Sequence, residues 1–293
     1  MAIYSIKDLE KLSGVKAHTI RIWEKRYGII QPKRTPTNIR YYSDEDLKRL
    51  LNIAILNRNG YKISKIAILK DDFITDQVVN ITRETGNSNS QIESLMMTMF
   101  EMDESKFEKI MSRMVLQLGF EDTIINVIYP LFEKIGYLWQ TGSINPLQEH
   151  FLSNLIRQKL IVAIDSIIAG ENPNARSFIL FLPEGEMHEI GLLFFSYLIR
   201  KKGHKVIYFG QSVPFKDLDT AKKVTTSNYL ITVFTTSLTR LKIDSYLKNM
   251  SENFKDHTII ISGQQVKNVD ISQYKNIHRL TTAIEFRNFI NSL

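Results

Sequence analysis

Five short apolar runs in the C-terminal part constrain this chain more than any other feature. Residues 176–182, 205–209, 230–234, 258–262 and 277–280 are each too short for a core helix. They are separated by stretches of helical periodicity that include 188–202, 216–224 and 240–250. Such alternation predicts an open, doubly wound parallel sheet, Rossmann-like, over residues 173–293. In that fold ligands bind beyond the C-terminal strand ends, at the switch point of the strand order. The loop after the first strand lies there and reads Pro183-Glu184-Gly185-Glu186-Met187-His188-Glu189-Ile190-Gly191. It has no Gly-x-Gly-x-x-Gly, which argues against a dinucleotide. It does offer an imidazole, a carboxylate two residues earlier and a glycine on the next turn. A carboxylate that holds one ring nitrogen directs the other toward a metal. From these residues alone, His188 reads equally as a ligand or as a surface histidine.

Residues 91–172 carry helical periodicity without strands. Ile92, Leu95, Met96 and Phe100 mark one helix, Phe107, Ile110, Met111 and Met114 a second, and 124–137 and 149–168 two more. Four amphipathic helices predict a four-helix bundle. Five of the nine methionines fall between Met96 and Met111, which reads as adaptable core packing. Trp139 ends the third helix, and a nine-residue loop leads to Glu149 and His150 at the start of the fourth. An indole, a carboxylate and an imidazole are thereby brought to one end of the bundle. From spacing alone, a core Trp and a dipole-matched Glu-His pair explain them as well. The polar stretch 73–90 reads as a linker region.

The head, residues 1–72, holds the charge. Residues 1–70 carry 15 Lys or Arg against 6 Asp or Glu, whereas the remainder carry 23 against 25. A basic block of this kind attracts a polyanion. Ser5 and Asp8 fit a capping box, Ser13-Gly14 turns the chain, and 15–26 reads as a second helix with Val15, Ile20 and Trp23 inward. Two short helices across a glycine turn make a helix-turn-helix. His18, Thr19, Arg21, Lys25 and Arg26 lie largely off its apolar face. Residues 31–42 carry two prolines and alternate, predicting a hairpin wing with Lys33, Arg34, Asn38 and Arg40. Ser43 to Asp46 caps a third helix, and a short one follows near Ile63.

The head is similar to that of the MerR family of regulators. The match runs in order through Tyr4-Ser5-Ile6, Gly14-Val15, residues 20–28, Pro32, Arg34, Asn38, Arg40 and Tyr42. Its Arg21-Ile22-Trp23-Glu24-Lys25-Arg26-Tyr27-Gly28 form resembles the branch that carries cobalamin-binding domains, light sensors among them. The resemblance implies a dimer or tetramer on double-stranded promoter DNA, with RNA polymerase nearby. The implied contacts are Lys16, His18, Thr19, Arg21, Lys25, Arg34, Asn38, Arg40 and Tyr42. Trp139, nine residues, then Glu149-His150 resembles the cap signature of that branch. There the bundle sits over the corrin: Trp139 would cover the upper axial group, and Glu149 and His150 would contact an adenosyl group. Light-sensing members carry His after the Trp; here it is Gln140, and an amide is a poor cobalt ligand beside imidazole.

Glu186-Met187-His188-Glu189-Ile190-Gly191 resembles the Asp-x-His-x-x-Gly signature of base-off cobalamin domains, with Glu for Asp. His188 would be the lower axial ligand of cobalt, and Gly191 would leave room for the nucleotide tail. The next two family elements fall at Ser237, within Thr235-Thr236-Ser237-Leu238, and at Gly263, followed by Gln264 in place of a second glycine. The implied cofactor is adenosylcobalamin.

The absence of cysteine excludes disulfides, thiolate metal sites and thiol catalysis. No apolar run is long enough for a bilayer and no signal core opens the chain, so the expected compartment is the cytosol, with no membrane partner. Three functions stay open: a cobalamin-gated regulator, a regulator whose tail serves oligomerisation or another ligand, and a corrinoid enzyme component. No nucleophile–base pair supports catalysis, so no enzyme activity is expected.

Overall fold

The computed structural model describes residues 4–74, 77–78, 88–140, 144–168, 172–220, 227–235 and 240–293. Its contacts divide the chain into two units, Met1–Leu152 and Ser153–Leu293.

In the first unit, α1 (Ile6–Ser13) opens on the capping box: Ser5 Oγ accepts from Asp8 N at 3.3 Å, and the Asp8 carboxylate accepts from Ser5 N at 2.7 Å. Gly14, at φ 71°, ends it in the left-handed region. Helix α2 (Ala17–Tyr27) starts two residues later than the periodicity suggests, because Lys16 keeps an extended ψ of 140° as its N-cap. Strands β1 (Lys33–Arg34) and β2 (Arg40–Tyr41) form the wing, pairing Lys33 with Tyr41 and Arg34 with Arg40. A second capping box, Ser43 with Asp46, opens α3 (Asp44–Arg58), and α4 (Ile63–Ile66) follows. Leu9, Leu12, Ile20, Trp23, Leu47, Leu50 and Leu51 are buried as this head's core.

The same unit continues into α5 (Ser88–Glu101), which begins inside the stretch read as a linker, then α6 (Glu104–Leu118), α7 (Phe120–Thr123) and α8 (Tyr129–Gln140). A π-helical turn, Ile124–Ile128, joins the last two. Pro130 has no N–H for the carbonyl one turn back, and a wider turn just before it absorbs the mismatch. Met96, Met97, Met99, Met111 and Met114 are all buried. Four of the five methionines between Met96 and Met111 are therefore core packing, whereas Met102 is 43% exposed. Helix α9 (Pro146–Asp165) follows and runs from the first unit into the second. The first three of its residues belong to what the sequence read as loop, so Glu149 and His150 sit one turn inside the helix. Asn145 is the reason: its Oδ1 accepts from Leu147 N at 2.9 Å while Gln148 Oε1 accepts from Asn145 N at 3.1 Å. Pro146 takes the first helical position, where no N–H is needed.

The second unit holds a five-stranded parallel sheet of β3 (Ser177–Pro183), β4 (Lys205–Val213), β5 (Tyr229–Val233), β6 (Thr258–Ser262) and β7 (Ile277–Arg279). The order is β4-β3-β5-β6-β7, with neighbours in parallel register. Helices α10 (Ile190–Lys201), α11 (Arg240–Asn253) and α12 (Ala283–Asn291) alternate with the strands. Helix α10 starts two residues later than expected, which leaves His188 in the loop. The order reverses at β3 and β5, so the crevice of this sheet lies between the loops that leave those two strands.

Candidate functional site

Of the residues expected to meet DNA, Lys16, His18, Arg21, Lys25, Arg34, Asn38 and Arg40 are exposed, and Thr19 is half-buried. Tyr42 is a correction: its side chain is buried, and its hydroxyl donates to Glu24 Oε2 at 3.0 Å. Burial first, and then the Glu24 carboxylate, pushes its phenol well above the usual range, so it stays a donor. The other Glu24 oxygen pairs with Arg40 Nε at 3.3 Å. Glu24 therefore ties the wing to α2, a role the sequence reading missed although the residue stood in the matched run. Asn38 sits at φ 64° in the turn of the wing, and its Oδ1 accepts from Arg34 Nη1 at 2.6 Å. Asn tolerates that left-handed conformation better than most residues, so its first task is the turn.

A buried ionic cluster joins this head to the helices behind it. Glu93 of α5 is 0% exposed. Arg58 at the end of α3 donates to its Oε1, and its Oε2 has no hydrogen-bond partner among the described residues. Lys134 of α8 donates to the Leu12 carbonyl of α1 at 3.5 Å. Burial raises the Glu93 pKa, with Arg58 and Lys134 pulling the other way. Burial likewise lowers that of Lys134, opposed by Glu93. No motif marks these residues; only the burial of charge reveals them.

At the start of α9, His150 Nδ1 lies 2.8 Å from Glu149 Oε2, with the histidine side chain 67% exposed. Trp139 and Gln140 close α8, and their side chains lie outside the described residues.

The loop after β3 is built more tightly. Pro183 to Glu186 forms a β-turn closed by Glu186 N donating to Pro183 O at 2.9 Å, with Gly185 at φ 84°. A positive φ at that third position is the demand of a type II turn, which glycine meets. Register shifts between β3 and β4 near Phe181 let the end of β4 reach the loop. Ser212 Oγ accepts from Gly185 N at 3.0 Å, Ser212 N donates to Glu186 O at 3.2 Å, and Gln211 Nε2 donates to Met187 O at 2.7 Å.

The turn sends the Glu186 side chain inward, where it is 3% exposed. Its Oε2 accepts from Thr235 N at 2.7 Å, at the end of β5. Its Oε1 accepts from His188 N at 3.0 Å and lies 2.8 Å from His188 Nδ1. A carboxylate that accepts from Nδ1 selects the tautomer whose lone pair is on Nε2. The imidazole itself is 57% exposed. Thus the longer Glu does orient the ring, and it also bridges the loops of β3 and β5 at the switch point. Gly191 falls in the first turn of α10. Ser237 lies outside the described residues. At Gly263, φ 102°, a Cβ would lie 2.3 Å from the Phe234 carbonyl oxygen. The glycine is needed for the close approach of the β5 and β6 ends.

Two family models match parts of the chain. Residues 4–72 match the MerR HTH family regulatory protein model, and residues 91–163 match the B12 binding domain model. The chain is 28% identical to the HTH-type transcriptional repressor CarH of Myxococcus xanthus over 74% of this chain and 74% of that protein. It is 26% identical to the repressor CarA of the same organism, over 71% of this chain and 68% of that one. In fold it is similar to a Methanosarcina barkeri monomethylamine corrinoid protein, with a TM-score of 0.58 at 14% identity, over 71% of this chain and all of that one.

Proposed function

We propose, from a head of the MerR helix-turn-helix family followed by a helical region of the B12-binding type, that this chain is a DNA-binding transcriptional regulator controlled by cobalamin. The observation that carries the reading is the Glu186–His188 pair at the switch point of a sheet that shares its chain with a basic, winged head. The residues fit the cofactor. Among the described residues no three His, Asp or Glu side chains converge as a metal site, so a metal here needs a ring that brings its own ligands. His188, with its lone pair on Nε2, is suited to be the single protein ligand.

Cobalamin, when bound, would supply a cobalt that an imidazole can ligate and a labile bond to an adenosyl group, with His188 the residue that would hold the metal. For their part, the residues hold and orient. Glu186 fixes the His188 tautomer. Trp139, Glu149 and His150 serve the adenosyl side, which favours adenosylcobalamin over a methyl form. Lys16, His18, Thr19, Arg21, Lys25, Arg34 and Arg40 face DNA, with Asn38 shaping the wing. The working division is a head over 1–72, a linker over 73–90, a cap over 91–172 and a cobalamin-binding domain over 173–293, with Gly191, Ser237 and Gly263 on the tail side.

Control is by linkage: whichever oligomer cobalamin favours sets the affinity for DNA by the same free energy. The chain acts in the cytoplasm, as a dimer or tetramer on a promoter near RNA polymerase, and is not itself an enzyme. A light response is expected to follow another course than His ligation, because Gln140 takes the position after Trp139. The test is to mix purified protein with adenosylcobalamin in the dark, desalt it, and record the visible spectrum, the mass and the DNA affinity. A retained, His-ligated spectrum with a change in mass and DNA binding is expected. A colourless protein, or equal mass and DNA affinity with and without cobalamin, overturns the reading.

A further inference from the structure

The residue after His188 has no place in the matched signature, yet its side chain is one of the most engaged in the loop. Glu189 precedes α10 as its N-cap, where a carboxylate ordinarily accepts from the free N–H groups of the first turn. It makes no such bond. Instead its side chain is 7% exposed, with Oε1 on Arg157 Nε and Oε2 accepting from the Tyr208 hydroxyl at 2.9 Å. Tyr208 belongs to β4 and Arg157 to α9. Burial, followed by the Glu189 charge, pushes the Tyr208 phenol up, so it remains a donor to this carboxylate.

The direct holds on the loop from the end of β4 fall at Gly185, Glu186 and Met187, before the histidine. Glu186 fixes how the imidazole turns, and Thr235 fixes Glu186. What fixes the chain just after His188 is Glu189. A metal ligand must be held within roughly 0.5 Å of its working position, and a loop anchored on one side only leaves the histidine free to swing.

We propose that Glu189 is a positioning residue for His188: with Tyr208 and Arg157 it clamps the ligand loop to β4 and to the part of α9 that lies in the same unit. The inference rests on the reading of His188 as the cobalt ligand.

The test compares E189Q, Y208F and R157A with the unmodified full chain, with H188A as the endpoint. Each is loaded with adenosylcobalamin in the dark, and free imidazole is titrated in while the visible spectrum is recorded. If the unmodified chain holds no corrin, the functional reading has failed. The clamp is then read from the ring nitrogen resonances of His188 in the unloaded protein. With corrin retained, the clamp predicts that imidazole displaces His188 at about tenfold lower concentration in E189Q and R157A, and a few-fold lower in Y208F. R157K should recover part of the loss. In unloaded protein it predicts one histidine tautomer in the unmodified chain and exchange between two in the variants. Variants that lose thermal stability yet keep the unmodified imidazole midpoint and a single tautomer would overturn it, leaving Glu189 a structural tie. Should E189Q fail to fold, R157A decides the question, because Arg157 is 45% exposed.

Discussion

Two glutamates, one in each unit, are buried alike and treated oppositely. Glu93, between the head and the helices behind it, has one oxygen on Arg58 and one with no partner among the described residues. Glu186, at the sheet's switch point, accepts from two backbone N–H groups and faces an imidazole N–H. A buried carboxylate with its lone pairs satisfied is a fixed part of the structure; one left short is held at a cost and changes readily. The contrast suggests that the ligand loop is prepared in advance, whereas the seam behind the head is poised to give way.

The largest expected effect breaks the seam. R58A removes the hydrogen-bonded cation of the buried Glu93 and leaves only the opposing charge of Lys134; such a loss costs about 3 kcal/mol. E93Q removes the charge itself and should cost no more than about 1 kcal/mol. Denaturant unfolding of both variants and of the double variant checks this. The double variant should recover much of the R58A loss. The pH dependence has a definite sign. Burial raises the folded pKa of Glu93 above the usual 4.5, so the folded chain holds that proton more tightly than the unfolded one. Its contribution to stability is full below about pH 4.5 and is lost as pH rises through the raised value. E93Q should abolish this component. If R58A proves no worse than E93Q, the seam is not strained and the contrast fails.

The next effect lies on the other side. In E186Q one accepting oxygen becomes an NH2 group facing N–H donors. The expected cost is about 1–3 kcal/mol in unfolding free energy. A loss of about 10–100-fold in His188 ligation should accompany it. DNA affinity without cobalamin should be unchanged, whereas R58A should alter it. Gel shifts with and without adenosylcobalamin separate the two regions. An E186Q chain that keeps its His-ligated spectrum at full strength would show that the carboxylate does not prepare the ligand.

These two glutamates differ as much in legibility as in chemistry. Glu186 was visible because its spacing to His188 and the strand before it are local features. So were both capping boxes, the wing, the strand–helix alternation and the methionine core, each a pattern of near neighbours. Glu93 carries no local signal: its partners lie 35 and 41 residues away in sequence, and only folding brings them together. The same holds for Arg157 and Tyr208 around Glu189. Tyr42 shows the opposite error. Its place in the matched run suggested a DNA contact, but a run of residues does not say which of them point outward. The start of α9 was misplaced for a third reason: Pro146 looked like a loop residue, although proline is favoured at a first helical position.

The smallest expected effect concerns the second Glu-His pair, and its smallness is the point. Glu149 and His150 are as close as Glu186 and His188, at 2.8 Å in both cases. The distance alone would make them equivalents. Their surroundings do not: Glu149 is 23% exposed and pairs with a largely exposed histidine. An exposed pair of this kind contributes about 0–1 kcal/mol, because water competes for both partners. E149Q should therefore shift unfolding by less than about 0.5 kcal/mol in the unloaded chain. If Glu149 serves the adenosyl side, the variant should still weaken adenosylcobalamin retention while leaving retention of a methyl form unchanged. Desalting and the visible spectrum read both. A pair that is weak without ligand and selective with it draws its energy from the ligand, as an adaptable contact should. Equal loss of both cobalamin forms would instead tie Glu149 to the fold of α9.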